Sequence, residues 1–256
     1  MKGYKALSMD MRAVNGNGMQ YEMGRLYSVE GDVIPCKNGF HYCDSIEELN
    51  RYYNIVASRI FEIEAYGEIL EYENKYAAKK IQLVRELTKQ EINDYFKQNQ
   101  KELMKSKYRH IRQAVAEQGC GLDVLIHDDN SDVRAAVARQ GYGLNILIRD
   151  KDWHVRREVA NQGYGLDVLI KDSSWLVRSA VAKKGYGLDM LINDEEWQVR
   201  RDVAKQGYGL DILINDKDRD VRMAVAKQYY GLDILAHDKD CDVRFVAQEM
   251  LKRSKV

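Results

Sequence analysis

One pair of residues, Val-Arg, returns every 22 positions through the second half of this 256-residue chain. It stands at Val133-Arg134, Val155-Arg156, Val177-Arg178, Val199-Arg200, Val221-Arg222 and Val243-Arg244, with Ile111-Arg112 ahead of them in the same register. Six full units therefore run from 111 to 242, and a partial seventh follows. A block this short cannot bury its own apolar stripe. It must stack on its neighbours, which makes the second half a solenoid held by nearest-neighbour contacts.

Each unit reads as two helices and two loops. A cap-type residue precedes the first helix at Asn130, Asp152, Ser174, Asp218 and Asp240, with Glu196 the weaker cap. Val155, Val159 and Ala160 then lie on one face of a helix of about ten residues. The alanine position (Ala116, Ala138, Ala160, Ala182, Ala204, Ala226) lets a neighbouring helix approach closely. Gly119, Gly141, Gly163, Gly185 and Gly207 stop the helix, where a left-handed residue costs glycine nothing. A short second helix follows, as in Leu166-Asp167-Val168-Leu169-Ile170, with Asp or Asn expected to cap it and its leucines and isoleucine turned inward. At ~8–10 Å between packed helices, six units make a rod of about 50–60 Å.

The run Val-Arg-x-x-Val-Ala, a turn, Leu-Asp-x-Leu-Ile and an acidic loop resembles the leucine-rich repeat variant family, a HEAT-like type of array. The likeness covers residues 111 to 250. It implies a right-handed superhelix of alternating α- and short 3₁₀-type helices. Here the turn is Gly-Tyr-Gly where that family usually carries proline, and the unit is slightly shorter.

Residues 1–88 have another texture. Arg59–Ala65 and Lys80–Val84 alternate apolar and polar residues as strands do, and Gly16, Gly18, Gly24, Gly31, Gly39 and Gly67 punctuate them as turns. Ser45-x-x-Glu48 and Thr88-x-x-Glu91 are helix-opening capping boxes. The whole is α+β: a small β-rich domain over 1–88, a bridging and capping helix over 89–110, and an all-α array over 111–256. The residues Gly24-Arg25-x-Tyr27 and Gly39-Phe40-His41-Tyr42-Cys43 resemble an uncharacterised domain of phage and low-GC bacterial proteins, which implies such an origin and no known activity.

Charge narrows the function classes. Basic and acidic residues balance at 40 each, and residues 111–256 hold 23 basic and 24 acidic side chains, so nothing favours a polyanion along the array. No apolar run has the length of a membrane span, and no apolar segment follows the first lysine as in a secretory leader. Four scattered cysteines read as free thiols of a cytoplasmic protein. Cys36, His41 and Cys43 lack the paired short spacings of a zinc site, and Asp238-x-Asp240-x-Asp242 lacks the glycine of a calcium loop. No resident metal or cofactor is expected.

Three sets of residues stand out in the array. Arg112, Arg134, Arg156, Arg178, Arg200, Arg222 and Arg244 form a ladder, as do Asp128, Asp150, Asp172, Asp194, Asp216 and Asp238. One of each per unit points to internal pairing, because a half-buried guanidinium needs a partner. Trp153, Trp175 and Trp197, the only tryptophans, share one position in three consecutive units. They read either as a ridge of binding hot spots for a protein partner or as inter-repeat packing. Tyr142, Tyr164, Tyr186, Tyr208 and Tyr230 read as a stacked structural column.

The leading functional reading is a non-catalytic scaffold that binds a protein partner. As an alternative, the order Tyr4-Lys5-Ala6, Gly39–Ser45, then Glu62, Glu64 and Glu68 is similar to that of ADP-ribosyltransferase-like folds. That likeness implies a basic residue early, a polar strand-to-helix junction and a late glutamate near the ribose. Nucleic-acid binding along the array is the third reading.

Overall fold

The structure, a computed structural model, describes residues 1–14 and 18–254 and divides into two compact units, 1–125 and 126–256. The division falls inside the first repeat. Gly16, expected in a turn, lies outside the described residues.

The first unit is built on five antiparallel strands: β1 (Lys2–Leu7), β2 (Leu26–Ser28), β3 (Phe40–Tyr42), β4 (Arg59–Tyr72) and β5 (Lys75–Glu86). Their order is β1-β4-β5-β2, and β3 also pairs with β5. Just past β3, Cys43 exchanges two backbone hydrogen bonds with Tyr4 of β1, at 2.7 and 2.9 Å, so the sheet curls back on its own first strand. That closure needs Gly3: a Cβ there would stand 2.5 Å from the Cys43 carbonyl oxygen. Leu7, Phe40, Tyr42, Phe61, Ile63, Ala65, Ile81 and Leu83 fill the interior. Gly67 is no strand-ending turn. It sits within β4 at an irregularity in register, and the hairpin instead turns at Glu73-Asn74, both left-handed.

Helix α1 (Ile46–Tyr52) starts on Ser45, whose hydroxyl accepts from the Glu48 N–H, while the Glu48 carboxylate turns to Arg51 at 2.7 Å instead of completing the box. Helix α2 (Lys89–Leu103) has the full reciprocal box of Thr88 and Glu91. It packs on α3 (Arg109–Glu117), and the one-turn α4 (Leu122–Leu125) ends the unit.

The second unit is a series of paired helices. The long ones are α5 (Ser131–Arg139), α7 (Trp153–Asn161), α9 (Trp175–Lys183), α11 (Trp197–Lys205), α13 (Arg219–Lys227) and α15 (Cys241–Arg253). Between them lie one-turn helices α6 (Leu144–Leu147), α8 (Leu166–Leu169), α10 (Leu188–Leu191), α12 (Leu210–Leu213) and α14 (Leu232–Leu235). These are single α-turns, not 3₁₀ helices, although each is entered and left through i→i+3 bonds such as Val168 N–H to Gly165 O and Lys171 N–H to Val168 O. Successive long helices pack on one another through the fully buried valines and alanines of the repeat.

Two capping expectations need correction. Ser174 makes no side-chain cap bond, whereas Asn130, Asp152, Asp218 and Asp240 do. The short helices are not capped by Asp or Asn either. Their N-caps are the second glycines of the turn, Gly143, Gly165, Gly187, Gly209 and Gly231, all left-handed. The aspartate beside them, as at Asp167, lies one residue inside the helix and faces solvent.

A second rhythm runs beneath the first. At the position before the second valine the long helices carry Ala136, Glu158, Ala180, Asp202 and Ala224, acidic in alternate units and all buried. Asp202 accepts from Ser179 Oγ at 2.6 Å and lies 3.2–3.3 Å from the ammoniums of Lys205 and Lys183, so its buried charge is paired across the helix interface.

Candidate functional site

Within the array, Arg134, Arg156, Arg178, Arg200 and Arg222 each work in two directions. Arg200 donates through Nε and a terminal nitrogen to both carboxylate oxygens of Asp216, at 2.6 and 2.9 Å, and through its other nitrogen to the Asp194 carbonyl at 2.6 Å. Arg134–Asp150, Arg156–Asp172, Arg178–Asp194 and Arg222–Asp238 repeat this bidentate bond at 2.6–2.7 Å. Each aspartate also accepts from the N–H two residues on, as Asp216 does from Asp218 at 2.8 Å. The guanidinium thus ties one loop to the next, and these side chains have little capacity left for a ligand. Arg112 donates to Ser106 O, Arg244 to Asp238 O and Lys239 O, and Asp128 accepts from Asn130 N–H.

Two of these pairs, Arg200–Asp216 and Arg222–Asp238, give the array an acid limit. Burial works to raise the Asp216 carboxyl, but the bond from Arg200, the Asp218 N–H and the Arg200 charge outweigh it and hold the group below its ordinary 3.8. At Asp238 the bond from Arg222 dominates and has the same sign. A depressed carboxylate stabilises the fold fully above its unfolded pKa, and the contribution disappears as pH falls through the folded value. Thermal stability is therefore expected to be flat from about pH 7 to 5 and to fall below about pH 4. Melting curves across that range check this, and Asp216→Asn should show a shallower acid decline than the parent chain.

The outer surface carries three columns. Trp153, Trp175 and Trp197 open α7, α9 and α11; Trp153 is 40% exposed and the other two are half-buried. Arg157 covers the Trp153 ring and Arg201 the Trp197 ring, at 5.4 and 5.1 Å. The tyrosines at 142, 164, 186, 208 and 230 are each 41–42% exposed, and no ring–ring contact joins them among the described residues. They are not a stacked column. Four of them follow the helix-ending glycine, as Tyr164 does where its N–H closes on Val159 O at 3.3 Å, Tyr230 follows the left-handed Tyr229, and the rings are left at the surface. The third column is aliphatic. Ile146, Val168, Met190, Ile212 and Ile234, the third residue of each short helix, are 52–60% exposed beside exposed Asn145, Asp167, Asp189, Asp211 and Asp233. Reading that helix as inward-facing hid it: Leu169 and Ile170 are buried, but one turn cannot bury all its apolar residues on one side.

Of the acidic loops, Asp240, Cys241 and Asp242 are the one cluster of metal-ligating groups among the described residues. Asp240 is occupied as a helix cap and Asp242 pairs with Arg219 at 3.1 Å. Cys36, His41 and Cys43 do not form such a cluster among the described residues. The His41 Nε2 accepts from the Cys36 N–H at 2.9 Å, and the Cys43 thiol is buried and pushed up to about 12 by that burial.

In the first unit the curl of the sheet sets Lys5 of β1 beside His41 of β3. Lys5 lies on the face of β1 opposite Phe61, whereas Glu62 and Glu64 stand opposite Tyr4 and Lys2 and project to the other side of the sheet. Glu62 binds Arg85 at 2.6 Å, Glu64 accepts from Tyr66, and Glu68 accepts from the Val33 N–H at 3.2 Å. The structure thus joins Lys5 with the His41 strand and keeps all three glutamates out of the cavity those residues line.

A small curled antiparallel sheet with its helices, followed by regularly spaced helix pairs, defines the class of this chain: an α+β protein with a helical-repeat region. Residues 1–94 match the model of a family described as a domain of unknown function (DUF7666), a match that takes in the sheet, α1 and the start of α2. No curated protein matches the chain. No helix among the described residues is long and apolar enough to cross a membrane.

Proposed function

We propose that the array is a non-catalytic docking scaffold for a protein segment with alternating apolar and basic side chains. The observation that carries this reading is the aliphatic column on the short helices, Ile146 to Ile234, flanked by exposed Asp167, Asp189, Asp211 and Asp233. Apolar side chains set out in register over five units exceed the scattered exposure of an ordinary surface. The acidic flank selects a cationic partner and repels a phosphate backbone from the same face. The three tryptophans are a second docking ridge, weaker because arginines already cover two of the rings.

The test uses a synthetic peptide in which leucines and lysines alternate along the sequence, its binding to the full chain read by fluorescence anisotropy. The triple variant Val168→Ser, Met190→Ser, Ile212→Ser should weaken binding about tenfold or more, with an unchanged melting curve because all three side chains are exposed. Trp153→Ala, Trp175→Ala and Trp197→Ala together should cost less. Equal affinity for oligolysine without leucines, or a preference for duplex DNA, overturns the reading.

A further inference from the structure

We propose that the cavity beside Lys5 in the first unit is a binding site for a small phosphate-bearing anion, with Lys5 and Lys75 as its charge partners. The cavity measures about 420 Å³, within the range of small-molecule sites and too small for a polymer. Three lysines (Lys5, Lys37, Lys75), His41, Tyr21 and Tyr53 are among its lining, and no Asp or Glu is found there among the described residues. Residues 15–17, next to lining residue Val14, are Asn-Gly-Asn and carry no charge.

Lys5 is the centre of the argument. It is 7% exposed, and its ammonium donates to the His41 carbonyl at 2.7 Å and lies 5.2 Å from the centre of the Tyr21 ring. No carboxylate pairs with it among the described residues, and of its three donors only one has an acceptor among them. Elsewhere in this chain buried charge is paired, as at Asp202 and along the arginine ladder, and a buried ammonium without an anion is costly. Burial brings the Lys5 ammonium down to about 8, which leaves it charged at neutral pH.

The neighbours add donors. Lys75 rests its ammonium 3.5 Å from the centre of the Tyr52 ring, with no carboxylate partner among the described residues. Burial, then the charges of Lys5 and Lys75, pull His41 below its ordinary value. A neutral His41 that accepts at Nε2 carries its proton on Nδ1 and can donate it. The nearby acids are turned to other work: Glu48 holds Arg51 at 2.7 Å, and neither it nor Asp44 lines the cavity. Two ammoniums, Lys5 and Lys75, without a carboxylate partner among the described residues suit a dianion better than a single carboxylate.

Isothermal titration of the full chain with inorganic phosphate, ribose 5-phosphate and AMP, beside uncharged ribose and adenosine, tests this. Saturable binding by at least one phosphate compound and none by the neutral pair is expected; whether the ester or the free ion binds best identifies the source. Lys5→Met should lower affinity about tenfold or more while melting no earlier than the parent chain without ligand, because it removes an unpaired buried charge. Lys75→Met should weaken binding less. No saturable binding at ~10 mM, heat matched by chloride at equal ionic strength, or undiminished affinity in Lys5→Met would each overturn the proposal.

Discussion

Asp216→Ala is expected to destabilise the helical array by about 3–5 kcal/mol, among the largest losses available to a single substitution in this chain. Asp216 and Arg200 are nearly buried, with side chains 7% and 8% exposed, and the carboxylate takes both a bidentate bond and the Asp218 N–H. Alanine leaves the guanidinium buried with only the carbonyls of Asp194 and Glu195, at 2.6 and 3.1 Å. Asp216→Asn keeps the turn bond but not the charge, and should lose about half as much. Pairing Asp216→Leu with Arg200→Met should recover much of the loss, since a buried pair is worth less than its broken half costs. Urea unfolding followed by circular dichroism measures all three variants against the parent chain. A loss below about 1 kcal/mol for Asp216→Ala would mean that the carbonyls alone hold the arginine. Because each unit leans only on its neighbours, the damage should also broaden the transition.

The two glycines of the Gly-Tyr-Gly turn are expected to answer very differently to substitution. Gly187→Val should cost about 3 kcal/mol or more. Its φ is +59°, which a β-branched residue resists, and a Cβ there would stand 2.1 Å from the Cδ1 of Ile170 in the preceding unit. The same approach recurs between Gly165 and Ile148 and between Gly209 and Ile192, so this glycine is where one short helix rests on the last. Gly185 has φ +73° and nothing within 4 Å of a Cβ. In the sixth unit Tyr229 takes that position at φ +58°. Gly185→Asn should therefore cost under about 1 kcal/mol. Adding Ile170→Ala to Gly187→Val removes the collision but not the backbone strain, so a partial rescue is expected. Equal losses for the same substitution, Gly185→Asn and Gly187→Asn, would show that φ alone matters and that the contact between units does not.

Much of the array can be read directly from the residues. Helix starts at Asn130, Asp152, Asp218 and Asp240 and the stop at Gly141 are local events, decided by which N–H a nearby oxygen reaches and which φ a residue tolerates. The valines and alanines of the packed face follow from helical period and the need to bury a stripe. The short helices were harder. A run such as Leu-Asp-Val-Leu-Ile has too few residues for periodicity to show that Val168 faces out while Leu169 and Ile170 face in. In the first half, Lys5 and His41 are 36 residues apart, and nothing in either segment announces the hydrogen bond between them.

Spacing in the chain therefore settled that the second half consists of stacked helix pairs with one arginine and one aspartate in each loop system, because those features repeat every 22 residues and depend on neighbours a few positions away. Folding in three dimensions settled which groups meet. The reach of Arg200 across 16 residues to Asp216, the aliphatic column left in water, and the curl that closes β1 against Cys43 over Lys5, which has no carboxylate partner among the described residues, all depend on where the backbone returns to itself. Local preference sets helix, turn and cap, whereas pairing over long separations is set by packing, which no short stretch of residues encodes.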